Sequence, residues 1–115
     1  MFKACLIGFG YWGSKLARNF QNSEDFDLVS IVDIKKKNLD YAKKNYQIIK
    51  TYNNYKKAIA GGDIDLVIIS TITSSHYKIA KFALQNNKHV LVEKPLSLSL
   101  REVKILNKIA KSKKK

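Results

Sequence analysis

Ala4-Cys5-Leu6-Ile7-Gly8-Phe9-Gly10-Tyr11-Trp12-Gly13 opens the chain with four apolar residues that run into three glycines spaced G-x-G-x-x-G. A short, unbroken apolar run suits a strand of parallel sheet buried on both faces. Trp12, Leu16 and Phe20, with Gly13 and Ala17 beside them, then recur at helical spacing. The glycine loop therefore opens directly into a helix that packs on the sheet and ends near Asn22. In that setting Gly8 makes the tight turn, Gly10 lets backbone approach a pyrophosphate, and Gly13 allows close helix-to-strand packing. The helix N-terminus offers N–H groups and the positive end of its dipole to the phosphates.

Working outward, Leu28 to Val32 repeats the buried-strand signature and stops at Asp33, twenty positions after Gly13. A turn that merely needs glycine explains one or two of the three glycines, but not all three together with this acid. A carboxylate at the end of a second strand can accept hydrogen bonds from the adenosine ribose hydroxyls and would repel a 2′-phosphate. NAD is thus favoured over NADP, and Lys35, Lys36 and Lys37 lie near enough to soften the preference. Tyr11 and Trp12 are expected to give backbone N–H groups to the pyrophosphate. The Trp12 side chain, on the helical stripe, reads first as a packing anchor.

The same alternation continues. Asn38 is expected to cap a helix carrying Leu39, Tyr41 and Ala42. A short strand is expected near Ile48 to Thr51, then a helix from about Asn54 that ends at Gly61-Gly62. Leu66 to Ile69 is a strand rich in β-branched residues, followed by a helix with Ile79, Ala80, Ala83 and Leu84 on one face. His89 to Val92 reads as the fifth strand. Ser99 and Glu102 have capping-box spacing ahead of a last helix whose inner stripe is Leu100, Val103, Leu106 and Ala110. Strands alternating with helices over short loops predict an α/β fold, a doubly wound parallel sheet with right-handed crossovers, whose ligands bind beyond the carboxyl ends of the strands.

Length and composition set the bounds. The 115 residues, 45% hydrophobic, support one domain, 1–115, with a basic tail over 111–115 expected to lack structure. The formal charge is +13. The lysines fall in pairs and triplets where solvated helix faces would lie, and no aromatic residues alternate with them as single-strand stacking would require, so nucleic-acid binding is not expected. Cys5, the one cysteine, excludes an internal disulfide and reads as a small buried hydrophobe. No apolar run approaches membrane-spanning length, so no membrane partner is expected and the cytoplasm is the default location. No metal site is expected.

Two further segments carry chemistry. Ser70-Thr71-Ile72-Thr73-Ser74-Ser75-His76 is a polar loop at the carboxyl end of the fourth strand, a floor for the middle of a cofactor, with Thr71 and Thr73 as candidate contacts. His76 could line a nicotinamide cleft, or could simply be bonded locally in the first turn of a helix. His89, at the amino end of the fifth strand, reads as structural. Glu93-Lys94-Pro95 follows that strand. A lysine there could hold or protonate a substrate oxygen, because desolvation brings its pKa toward neutrality; Glu93 could assist, and Pro95 would direct the loop. In isolation the same tripeptide is an exposed charged turn.

Val90-Leu91-Val92-Glu93-Lys94-Pro95 after Lys88-His89, taken with the glycine loop and Asp33, resembles the Gfo/Idh/MocA oxidoreductases over nearly the whole chain. The resemblance implies a Rossmann-type domain in which the glycine loop holds the pyrophosphate and Asp33 the adenosine ribose. It also implies that Lys94 is catalytic and that Glu93 contacts the cofactor on its nicotinamide side. The loop of relatives often reads T-P-T-x-x-H; His76 matches, and Ile72 stands where the proline would be. Family members continue with another strand and an α/β substrate domain. The expectation is therefore a sheet without its last strand and a chain that self-associates and is inactive alone. The expected activity is hydride transfer between nicotinamide and a carbinol carbon of a sugar, sugar-nucleotide or polyol, given a substrate domain. The alternative is a noncatalytic NAD-binding or interaction module.

Overall fold

The computed structural model describes residues 2–46, 49–61, 63–92 and 100–113, with Tyr11, Trp12 and Thr73 as backbone. Five strands and five helices alternate along it: β1 (Phe2–Ile7), α1 (Tyr11–Gln21), β2 (Phe26–Val32), α2 (Lys36–Asn45), β3 (Lys50–Tyr52), α3 (Tyr55–Gly61), β4 (Leu66–Ile69), α4 (Thr73–Gln85), β5 (His89–Val92) and α5 (Leu100–Lys113). All pairings are parallel and the sheet order is β3-β2-β1-β4-β5. The order reverses between β1 and β4, and ligands of such sheets sit in the crevice above that point.

The apolar runs form strands because both of their faces are covered. Ala4 and Leu6 of β1 join Ala17, Leu28, Ile31, Ala42 and Ile68 in one core layer beneath α1 and α2. Cys5 and Ile7, pointing the other way, join Ala58, Ile59, Val67, Ile69, Ile79, Ala83 and Leu106 beneath α3, α4 and α5. Period-2 alternation thus feeds two cores from one strand, which is why β1 shows no polar residue among its last four. At the far end of α4, Asn87 takes φ 65 and turns the chain into β5, a left-handed position that asparagine tolerates.

The expected elements are present, with three local differences. Asn38 does not cap α2; the cap is Lys35, and Asn38 lies inside the first turn. The helix starts earlier because Asp33 Oδ1 accepts from the Lys35 backbone N–H at 2.8 Å, and the Lys35 carbonyl then accepts from the N–H groups of Asn38 and Leu39. Leu100 is not on the inner stripe of α5: it is 71% exposed, while Leu106 is 3% exposed. The first turn of α5 overhangs the core, so only later residues on that stripe reach it. Finally, helical backbone continues through Lys113, three residues into the segment expected to be a structureless tail. Ser99, Gly62 and Ile48 lie outside the described residues.

Candidate functional site

The carboxyl ends of β1, β2 and β4 converge, and each brings a loop made of a different kind of residue. After β1 the chain must turn sharply under the start of α1. Gly8 does so at φ 95, a conformation that side chains resist, and its N–H donates to the Val32 carbonyl at 2.8 Å. A Cβ at Gly8 would lie 2.6 Å from the Ser70 carbonyl oxygen, and one at Gly13 would lie 2.0 Å from the Gly8 carbonyl oxygen. Gly8 is therefore required by the start of the loop after β4, and Gly13 by the glycine loop itself. Gly10 is different: among the described residues nothing lies within 4 Å of the position its Cβ would take. Open space over a glycine at a helix N-terminus is what a close-approaching ligand needs.

The electrostatics of that N-terminus agree. Gly10 is the cap of α1, no side chain among the described residues caps the helix there, and its first turn holds no acidic residue. Tyr11 and Trp12 are its first two residues. An uncapped helix start presents N–H groups and a positive dipole end to an anion such as a pyrophosphate.

Asp33 stands directly after β2 and closes on the glycine loop. Its Oδ2 accepts from the Phe9 backbone N–H at 2.8 Å and from Asn38 Nδ2 at 3.1 Å, while Oδ1 accepts from Lys35 N–H. The Phe9 ring, 3% exposed, packs near Tyr41 and Tyr46 of the α2 region, with centroids 5.9 and 6.2 Å away. The acid thus ties together the glycine loop and the start of α2. Sequence reasoning missed Asn38 and Phe9 as members of this cluster. The signal for Asn38 is its place five residues after the acid, and its residue type points instead to a helix cap.

The loop after β4 is fastened by its own side chains. Thr71 Oγ1 and Ser75 Oγ share a hydrogen bond of 2.6 Å, Ser75 Oγ donates to the Ile72 carbonyl at 2.8 Å, and Ile72 itself is 75% exposed. These short-range bonds hold the turn in which Ile72 replaces proline. Thr73 begins α4. His76 is 1% exposed, and its Nε2 lies 2.8 Å from the Thr71 carbonyl oxygen, so the ring braces the loop from within. His89 begins β5 and sits edge-on to Phe2 at 6.0 Å, away from the convergence. Glu93, Lys94 and Pro95 lie outside the described residues.

This arrangement can cradle a dinucleotide: an open glycine over an uncapped helix start for the phosphates, and a fixed carboxylate for a ribose diol. The model of the Gfo/Idh/MocA family, described as an oxidoreductase family with an NAD-binding Rossmann fold, matches residues 2–115. The chain belongs to this family. As its NAD-binding domain, the chain is 31% identical over 98 residues to myo-inositol 2-dehydrogenase of Thermotoga maritima, covering 85% of this chain and 29% of that protein. The crystal structure of myo-inositol 2-dehydrogenase from Lactobacillus plantarum superposes with a TM-score of 0.90 at 32% identity, covering 96% of this chain and 33% of that one. Biliverdin reductase from Synechocystis, solved with biliverdin and NADP+, superposes at 0.93 with 31% identity over 99% of this chain and 36% of that one. The chain therefore spans about a third of the length of these Gfo/Idh/MocA relatives.

Among the described residues no helix is long and apolar enough to cross a membrane, and no group of three His, Cys, Asp or Glu is placed to hold a metal ion.

Proposed function

We propose that this chain is the cofactor-holding domain of an NAD-dependent polyol or sugar dehydrogenase acting in the cytoplasm. The observation that carries the reading is the contact between Asp33 and the glycine loop, which sets a carboxylate beside the uncapped start of α1. The fold comparisons support it, since inositol dehydrogenases stand among the relatives.

In this reading the N–H groups at the start of α1 bind the pyrophosphate and Gly10 leaves room for it. Asp33 binds the adenosine ribose, while Thr71, Thr73 and His76 shape the floor beneath the middle of the dinucleotide. The dinucleotide, when bound, supplies or accepts the hydride. Lys94, following β5, holds or protonates the substrate oxygen, and Glu93 contacts the nicotinamide side; both roles rest on the family resemblance. Substrate recognition comes from a second, α/β domain, because a cofactor site alone cannot enclose a substrate and exclude water.

Self-association is part of the same reading. In the residue row Ile31-Leu6-Ile68-Leu91 across the sheet, the first three are almost fully buried and Leu91 is 48% exposed, so helix cover among the described residues runs out at β5. The cofactor assignment is tested by titrating the folded chain with NADH and following fluorescence or heat. Saturable binding is expected; no signal at millimolar cofactor would remove the reading.

A further inference from the structure

The Asp33 carboxylate carries more hydrogen bonds than a ribose site requires. An ionised carboxylate has about four lone-pair sites. Three are already used, by Phe9 N–H and Asn38 Nδ2 on Oδ2 and by Lys35 N–H on Oδ1. Two of these donors are backbone groups of the glycine loop and of the α2 cap. They belong to the fold and would be present whatever residue stood at 38. The third, from Asn38, is a side-chain bond to an oxygen that already has a partner.

That third bond has a geometric effect. With backbone donors alone, one to each oxygen, the carboxylate can still rock about its Cβ–Cγ bond within the tolerance of two hydrogen bonds. A second donor on Oδ2, reaching from the first turn of α2, narrows that motion and leaves the open valence on Oδ1. A ribose 2′-hydroxyl can donate to that valence. A 2′-phosphate is disfavoured there, because at neutral pH it is predominantly the dianion, which presents only acceptors and a like charge, and a carboxylate that is held in place cannot turn aside to admit it.

We propose that Asn38 is the positioning residue that sets the dinucleotide preference of this site, by locking Asp33 in the orientation that accepts a ribose hydroxyl and rejects a 2′-phosphate. The inference rests on the reading of the chain as an NAD-binding domain. Asn38 acts through Asp33, and it touches the chemistry only in that sense. The three neighbouring lysines, Lys35, Lys36 and Lys37, are all exposed and would otherwise draw a 2′-phosphate toward this corner. The discrimination must therefore come from the fixed acid and not from the net charge of the surface.

The test is the ratio of dissociation constants for NADPH and NADH, measured by fluorescence titration on the 115-residue chain and its variants. Asn38→Leu keeps the approximate shape and removes the donor, while Asn38→Gln keeps an amide donor. The Leu variant is expected to lose about five- to tenfold of the ratio, the scale of one ordinary side-chain hydrogen bond, and the Gln variant to recover part of it. Asn38→Ala serves as the second donor-less variant should Leu not fold, and a thermal melt of each establishes folding. A merely structural role would weaken both cofactors equally; that result, or an unchanged ratio in a folded donor-less variant that still binds NADH, overturns the inference alone. A folded wild-type chain that binds neither cofactor overturns the NAD reading and this inference with it.

Discussion

The Asp33 carboxylate accepts a hydrogen bond from the Phe9 backbone N–H at 2.8 Å, across 24 residues of chain. This bond joins the loop after β1 to the end of β2, and it makes one residue serve both the architecture and the site. Asp33→Ala would leave the Phe9 and Lys35 N–H groups and the Asn38 amide without their acceptor. A loss of roughly 2–3 kcal/mol in a denaturant melt is expected, together with a fall in NADH affinity. An Ala variant as stable as wild type would show that water replaces these bonds without penalty.

The three glycines should separate by substitution. Gly13→Ala and Gly8→Ala each drive a methyl into backbone oxygen, at 2.0 and 2.6 Å, and are expected to unfold the chain or lower its melting temperature steeply. Gly10→Ala meets nothing among the described residues within 4 Å, so its melting curve should match wild type while its NADH affinity falls by roughly tenfold or more, on the order of the cost of displacing a closely approaching phosphate. Equal stability of all three would contradict the packing described.

Burial pushes the Cys5 thiol up from its ordinary value of 9.0 to about 11, with a weaker opposing pull from Ser30. The folded chain therefore holds this proton more tightly than the unfolded chain. The corresponding stability is complete below pH 9 and is lost as pH rises through the window up to about 11, amounting to roughly 2–3 kcal/mol. Cys5→Ala should flatten that alkaline decline, and at neutral pH a thiol reagent should modify the native chain only at the rate at which it opens.

Leu91→Lys places a charge at the uncovered end of the Ile68-Leu91 row. Size-exclusion chromatography over a range of concentrations should show wild type shifting toward larger species and the variant remaining small. A wild-type chain that elutes as a monomer at every concentration would refute self-association through this edge.

Much of the fold is legible because its signals are local. Ala4 to Ile7 fits a strand covered on both faces, and Ile79, Ala80, Ala83 and Leu84 fit a helix face. Both readings depend on side-chain period, which is a property of the backbone geometry. Leu100 and Asn38 mislead because burial and capping depend on where an element lies relative to its neighbours. The first turn of α5 extends past the core, so an apolar residue on the right stripe still meets water. Asn38 looks like a cap from its residue type. Asp33, however, starts the helix earlier by accepting from Lys35 N–H, and that leaves the Asn38 amide available to the carboxylate.

The order of residues by itself determined that strands and helices would alternate, that a glycine loop would open the first helix, and that an acid would follow the second strand. Spacing along the chain encodes those things because each needs only near neighbours. Only the tertiary structure decided that Gly13 packs against the carbonyl of Gly8, that His76 is closed inside its own loop, and that Phe9 and Asn38 converge on one carboxylate oxygen. The Phe9–Asp33 contact depends on the register of the parallel strands, which brings residues 24 apart in sequence within hydrogen-bond distance, while the other three are closures within single loops whose backbone path is set by the elements they join; no periodicity in the sequence specifies any of them.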